Sequence, residues 1–555
     1  MTFSPDAVVV GAGLAGLVAT YELTRAGRRV LVVEQENRNN LGGQAFWSLG
    51  GLFFINSPEQ RRMRIHDSLE LARQDWLGSA QFDTHSPDDV WGMRWAEAYL
   101  DWAAGGKREY LRRLGHRVVP MVGWAERGDG SALGHGNSVP RFHITWGTGP
   151  GVVEAFARPV LDAERNGLVR FAFRHRVDEL LVDGGAAAGV RGVVLSDSDA
   201  ERGAATTRTV TGDYEFRAPV VILTSGGIGH NHELMRQSWP SARLGPSPKR
   251  MLSGVPAYVD GRMLAIAEAV GARVAHRDRM WAYTEGVQNW SPIWPNHGIR
   301  ILPGPSSLWF DANGNRLTGM SGVPGADTLG AMKQILATGY DYSWFVLTQS
   351  IIEKEFALSG SEQNPDITLR NRRAVVMSRF TSGAPEPVEL FKKHGVDFVV
   401  AATLPELVRG MNAIAPGPAL DLSQIESQVL ARDREMCNPF SKDVQVMTIH
   451  NARRSLTDRL MRVASPHRIL DPAHGPLIAV RLNILSRKTL GGLQTTLDST
   501  VLSRDGSPIP GLYAAGEVAG FGGGGMHGLN ALEGTFLGGC IFSGRAAGRA
   551  VAREL

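Results

Sequence analysis

Cysteine is nearly missing from this chain of 555 residues: Cys437 and Cys540 are the only two. They form no CxxC, CxxCH or Cys/His cluster, which excludes a thiolate zinc site, a c-type haem and an iron–sulfur centre and predicts a reduced, cytoplasmic protein without a metal. Lysine is scarce as well. Eight lysines stand among 59 basic residues, singly except for Lys392 and Lys393, so there is no tract for a nucleic-acid backbone. The basic residues meet 55 acidic ones, leaving a formal charge of +4. No apolar stretch reaches the roughly 18 residues of a spanning helix, so any membrane contact is expected to be peripheral. The first apolar run, residues 7–10, follows Asp6 and leads into glycines, so no signal peptide is expected. What remains is 43% hydrophobic and 21% charged, too apolar and too balanced for disorder. The length suits a large core in about three or four units.

Glycine, by contrast, is plentiful at 66 residues, and four glycine-rich stretches carry the chemistry. Ala7-Val8-Val9-Val10 reads as a buried parallel strand and runs directly into Gly11, Gly13 and Gly16 at the start of an amphipathic helical stretch. In that spacing the first glycine allows a tight turn, the second admits a pyrophosphate, and the third lets helix pack on strand. Leu14 and Ala15 open the helix whose free N–H groups face the phosphates. A second strand ends at Glu34, followed by Gln35, where a carboxylate can accept hydrogen bonds from ribose hydroxyls; an acid there favours FAD or NAD over NADP. The next stretch holds Gly42, Gly43, Gln44, Ser48, Gly50 and Gly51. Two glycine pairs so close behind the ribose acid suit a backbone that wraps a flavin nucleotide, where a nicotinamide enzyme would continue with another βαβ unit. No histidine lies between Glu34 and Gly51, so the flavin is expected to be non-covalent.

The third stretch follows a predicted strand over residues 171–182, with Val177 near its middle, a turn at Gly184 and Gly185, and a buried strand over 218–223 that enters Thr224, Ser225 and Gly226. The fourth is a strand finishing at Gly516 and Glu517, then His527, Asn530 and a helix from Gly534 and Thr535. A helix start there can hold the flavin side chain and place partial positive charge near its ring. Residues 184–189 and 196–211 read as exposed excursions. Asp88, Asp89, Glu426 and Glu435 read as solvent-facing acids.

Val8 to Gly16, Gly42-Gly43, Thr224 to Gly227 and Gly511-Leu-Tyr-Ala-Ala-Gly-Glu517 together resemble the flavoprotein family of fumarate reductases, succinate dehydrogenases and 3-ketosteroid dehydrogenases. The resemblance implies an α/β fold with a Rossmann-like, two-dinucleotide FAD-binding domain and an inserted α+β cap. It implies an FAD part over 1–258, a cap over 259–440 and a returning FAD part over 441–555, with substrate at the junction.

Substrate class follows from what the resemblance fails to supply. Dicarboxylate enzymes carry a clamping arginine where Ala531 stands here, a histidine where Lys488 stands, and a donor arginine that residues 317–327 lack. Two desolvated carboxylates would need such cations. The steroid branch carries a tyrosine where Ile478 stands, so its acid–base residues are not matched either. The cap segment offers Trp281, Tyr283, Trp290, Trp294 and Trp309, a density of flat apolar side chains that suits a rigid ring ketone. Trp281, Trp294 and Thr489 are therefore the expected substrate contacts. Lys488, Tyr283 and Arg300 are the expected polar catalytic groups, Lys488 polarising a carbonyl or acting as an acid. The expected reaction is hydride transfer between flavin and a CH–CH bond beside a carbonyl, with electrons passed to a quinone, dye or protein. A dicarboxylate oxidoreductase is the rival enzyme. A flavin-containing nucleic-acid-binding or assembly protein is the rival of another class.

Overall fold

Runs of small and β-branched residues set the first layer. Ala7–Val10, Val30–Glu34, Val169–Phe173 and Val220–Leu223 pair in parallel, and Pro508–Ala514 joins Val220–Leu223 from the far end of the chain. Thr500–Leu502 closes this edge antiparallel, which completes a six-stranded sheet. This computed structural model describes residues 3–123, 136–377 and 383–555. Strands buried on both faces need covering helices. Leu14–Arg25 and the C-terminal Thr535–Glu554 lie against each other to supply that cover. A Cβ at Gly544 would stand 2.6 Å from the Ala15 carbonyl oxygen, and one at Gly548 2.7 Å from that of Ala19, so the spacing of these two glycines fixes how closely the helices approach.

A second, eight-stranded sheet forms the cap. Its centre is the 13-residue strand Leu477–Thr489, flanked antiparallel by Tyr342–Thr348 and Met280–Gln288, with Leu308–Asp311, Gly298–Leu302 and Ala357–Leu358 outside them. Trp309, Trp344 and Phe345 fill its core with the helices Leu404–Ile414 and Leu422–Met436. The architecture is therefore α/β, a parallel dinucleotide-binding sheet with a mainly antiparallel cap, as the glycine-rich ends imply. Leu477–Thr489 lies in the second sheet, between Tyr342–Thr348 and Met280–Gln288.

Three local expectations are corrected. The strand predicted over 171–182 breaks at Arg174, which adopts φ +62° and turns its guanidinium onto the carbonyls of Gln35 and Ser196, 3.0 Å each. His175–Asp183 then starts a separate antiparallel sheet with Ala186–Leu195 and Val210–Arg217, so the turn expected at Gly184 and Gly185 joins two strands and 186–189 is strand rather than excursion. Asp89 does not face water: it is fully buried, receives two bonds from Arg279 at 2.5 and 3.0 Å and lies 3.0 Å from His276 Nε2. Those partners hold its carboxyl well below the usual carboxylate range. Among the described residues no helix is long and apolar enough to cross a membrane.

Candidate active site

The glycine loops meet because the strand ends Val10 and Leu223 are adjacent. Gly11 turns at φ +104° with its Cβ position 2.7 Å from the Thr224 carbonyl oxygen, a place no other residue takes without strain. Gly42 bridges to Gly13, and a Cβ on Gly43 would come 3.2 Å from Gly13 Cα, so the first two loops lie back to back. The third joins them through the Thr224 hydroxyl, which donates to the Val10 and Gly11 carbonyls at 2.9 Å.

Together they floor one cleft. Gly11, Gly13, Leu14, Ala15, Glu34 and Gln35 line it. Gly42, Gly43, Gln44, Ser48, Gly50 and Gly51 follow along the wrap, then Val177, Thr224, Ser225, Gly226, Gly516, Glu517 and Gly534. Two observations show that these residues fit FAD. The helix Leu14–Arg25 starts at Gly13 with no side-chain cap, leaving its first N–H groups for a phosphate. A Cβ on Gly13 would meet no protein atom nearer than 3.9 Å, so its absence opens space in the cleft itself. Burial pushes the Glu34 carboxyl above the usual range, although its two oxygens accept from the Ala12 and Glu36 amides at 2.8 and 2.9 Å.

The far end of the cleft is knit by one network. Glu517 accepts from the Thr489 amide at 2.8 Å and from Gln44 Nε2 at 2.5 Å. Lys488 Nζ donates to Gln44 Oε1 at 2.6 Å and lies 3.9 Å from Glu517. Burial lowers the Lys488 ammonium from its ordinary value, and pushes the neighbouring Cys540 thiol up to about 12. Tyr283, Arg300, Leu302, Ser359, Arg487, Glu533, Phe536 and Leu537 complete this end. Arg300 lies with Cζ 3.6 Å from the centre of the Tyr283 ring, donates to Glu533 at 2.6 Å and stands 3.8 Å from Glu285. Glu285 is fully buried and accepts no hydrogen bond from a described residue, and that burial raises its carboxyl above the usual range.

Other expected residues stand behind the wall. Gly16 serves packing, its Cβ position 2.1 Å from the Gly11 oxygen. The Thr489 hydroxyl is taken by the Ile228 amide at 2.9 Å. His527 stacks on Trp76 and bonds Thr535 at 2.9 Å; burial drives its imidazole down to about 3, so it orders the loop as a neutral ring, and Asn530 is buried beside this stretch. Trp281, expected against the substrate, is fully buried with Leu252, Leu485 and Leu490. Trp294 donates to the Ser253 carbonyl at 2.9 Å and stacks on His297. Sequence reasoning did not single out Tyr258, Asp260 and Arg262, which follow no motif, nor Arg487, whose position next to Lys488 was the available signal.

Comparison with known proteins agrees with this geometry. Residues 6–537 match the FAD binding domain family. The chain is 62% identical over 550 residues to a KsdD-like steroid dehydrogenase of Mycolicibacterium smegmatis, covering 99% of each. Its fold is similar to that of 3-ketosteroid Δ1-dehydrogenase from Sterolibacterium denitrificans in complex with 1,4-androstadiene-3,17-dione, with TM-score 0.68, 16% identity and full coverage of both chains. It is also similar to 3-ketosteroid-Δ4-(5α)-dehydrogenase from Rhodococcus jostii RHA1 in complex with 4-androstene-3,17-dione, with TM-score 0.60, 21% identity, and coverage of 99% of this chain and 97% of that one. The chain thus belongs to the FAD binding domain family and is an FAD-dependent oxidoreductase acting on CH–CH groups.

Proposed function

We propose that the protein desaturates the carbon–carbon bond beside the carbonyl of an apolar ring ketone of the 3-ketosteroid kind, or runs the reverse reaction. The observation that carries this reading is the juxtaposition, in one cleft, of the glycine floor with an end built from Tyr283, Leu302, Phe536 and Leu537. Bound FAD supplies the hydride chemistry. The rest falls to the chain. Tyr283, as its phenolate, takes the proton of the carbon next to the carbonyl, beneath the Arg300 guanidinium that lies over its ring. Lys488, Gln44 and Glu517 act as positioning residues, since their bonds to one another tie the cap strand to the flavin loops. Leu302, Phe536 and Leu537 exclude water and accept the apolar rings.

Fumarate is the rival substrate. It needs two uncommitted cations, yet Arg300 is bonded to Glu533 and Lys488 pairs with Glu517. The nucleic-acid rival draws no support from the surface arginines, of which Arg38, Arg112 and Arg191 all bind carboxylates. A quinone, dye or protein as external electron acceptor, and a cytoplasmic location, belong to the same proposal. So does the division at 258 and 440, with the sheet pairing of Leu477–Thr489 favouring a later return to the FAD part. The test is anaerobic loss of oxidised-flavin absorption on mixing the holoenzyme with 4-androstene-3,17-dione, other cyclic ketones and, in reverse, with fumarate and reduced enzyme. Bleaching by ring ketones is expected; turnover of fumarate alone would replace this reading with the dicarboxylate one.

A further inference from the structure

We propose that Arg487 binds the carbonyl oxygen of the substrate and carries the negative charge that collects there as the neighbouring carbon loses its proton. This rests on the ring-ketone reading and adds to it a catalytic residue.

Three cations enter the substrate end of the cleft, and their surroundings differ. Arg300 is spent on Glu533 and on the ring of Tyr283. Lys488, the group expected from sequence to polarise a carbonyl, is spent on Gln44 and Glu517. Arg487 has one hydrogen bond to a described residue, from Nη1 to the Gly254 carbonyl, and no described carboxylate oxygen lies within 4.0 Å of its nitrogens. The groups that act on it through space are Tyr283, Glu362, Glu517 and Arg300. Glu517 is already engaged by two donors. Burial pushes the Glu362 carboxyl up to about 7, so it offers less than a full countercharge near neutrality.

A guanidinium keeps its charge through the accessible pH range and presents five donors. Half-buried with no described carboxylate in contact, that of Arg487 can follow the negative charge as it passes from the Tyr283 phenolate to the substrate oxygen. The position suits this. Arg487 stands two residues along the strand from Leu485, which pairs with Tyr283, so the proton acceptor and the cation border the same part of the cleft. In the step, the carbon–hydrogen bond beside the carbonyl breaks and its proton goes to the Tyr283 oxygen. The electron pair left behind forms the carbon–carbon double bond of an enolate, and the carbonyl π pair moves onto the oxygen facing Arg487.

The experiment compares holoenzyme of the wild type, Arg487→Met and Arg487→Lys with 4-androstene-3,17-dione. Removing one donor to a developing oxyanion is expected to lower kcat on the order of 10²-fold, with KM changed far less and the lysine variant recovering part of the rate. Flavin content and absorption are expected to match the wild type. As a second readout, a ring-shaped phenol is expected to bind the wild type as its phenolate, read by its own absorption, and Arg487→Met as the neutral phenol. Unimpaired kcat in Arg487→Met, or a neutral phenol in the wild type, overturns the inference while leaving the ring-ketone reading standing. Failure of every ring ketone to bleach wild-type flavin removes that reading and this inference with it.

Discussion

The two walls of the cleft are built on different principles. The flavin wall is backbone: its shape comes from positions where a side chain would collide, such as Gly11 against Thr224, or would fill the void, such as Gly13. The substrate wall is side chain: Tyr283, Arg300, Arg487 and Lys488 owe their roles to which partner each has found. One wall tolerates few residue types and many ligand-free contacts; the other tolerates many residue types and depends on pairing. A wall of the first kind holds a constant cofactor, and one of the second kind can be retuned to a new substrate without disturbing the fold.

Substitutions on each wall sharpen that contrast. The largest effect is expected from Gly13→Val, which meets no backbone yet occupies the phosphate space. The purified protein should keep its circular dichroism and lose its bound flavin; retention of flavin would deny that the floor works by exclusion. Next is Tyr283→Phe, which keeps the ring under Arg300 and removes the oxygen. A fall in kcat of roughly 10²- to 10³-fold with flavin retained is expected from the usual worth of a positioned acid–base group, and a change confined to KM would make Tyr283 a packing residue. Smaller is the effect of Glu285→Gln on stability. A carboxyl whose proton affinity is raised in the folded state binds more protons than the unfolded chain above the ordinary glutamate range, so its contribution falls as pH rises through the folded value. The variant should therefore match the wild type near pH 4 and melt higher by about 1–2 °C near pH 8. A lower melting point at pH 8 would mean that Glu285 is ionised and paired with Arg300. The smallest is Trp281→Phe. Its indole N–H has no described partner and its ring lies in the core, so kcat and KM are expected to stay within about twofold, at a stability cost near 1 kcal/mol. A large rise in KM would return Trp281 to the substrate wall.

How much of this was readable in advance divides along the same line. Gly11, Gly42, Gly43, Gly226 and Gly516 were legible because each is demanded by a turn or a close approach, and such demands are local. Glu34 was legible because it ends a buried strand, and Glu517 because it follows one within three residues. Trp281 and Arg487 were not. Both sit on strands of the cap sheet whose pairing is shifted by a bulge between Trp281 and Ala282, and one residue of shift exchanges wall for core. Asp89 was misread for a related reason: its partners His276 and Arg279 lie far along the chain, and a carboxylate's burial depends on such distant cations rather than on its neighbours. The pairing of Leu477–Thr489 was not legible because its partners Tyr342–Thr348 and Met280–Gln288 lie far along the chain.

The final helix, Thr535–Glu554, lies on the first one, and the strand before it, Pro508–Ala514, is inserted beside Val220–Leu223. During synthesis the glycine loop at Gly11 to Gly16 leaves the ribosome long before Gly516, Glu517 and Gly534 of the same binding site. Cofactor capture thereby waits on segments distant in the chain: without Gly516 to Thr535 the first loop keeps every phosphate-facing glycine and has no closed chamber in which to keep the nucleotide.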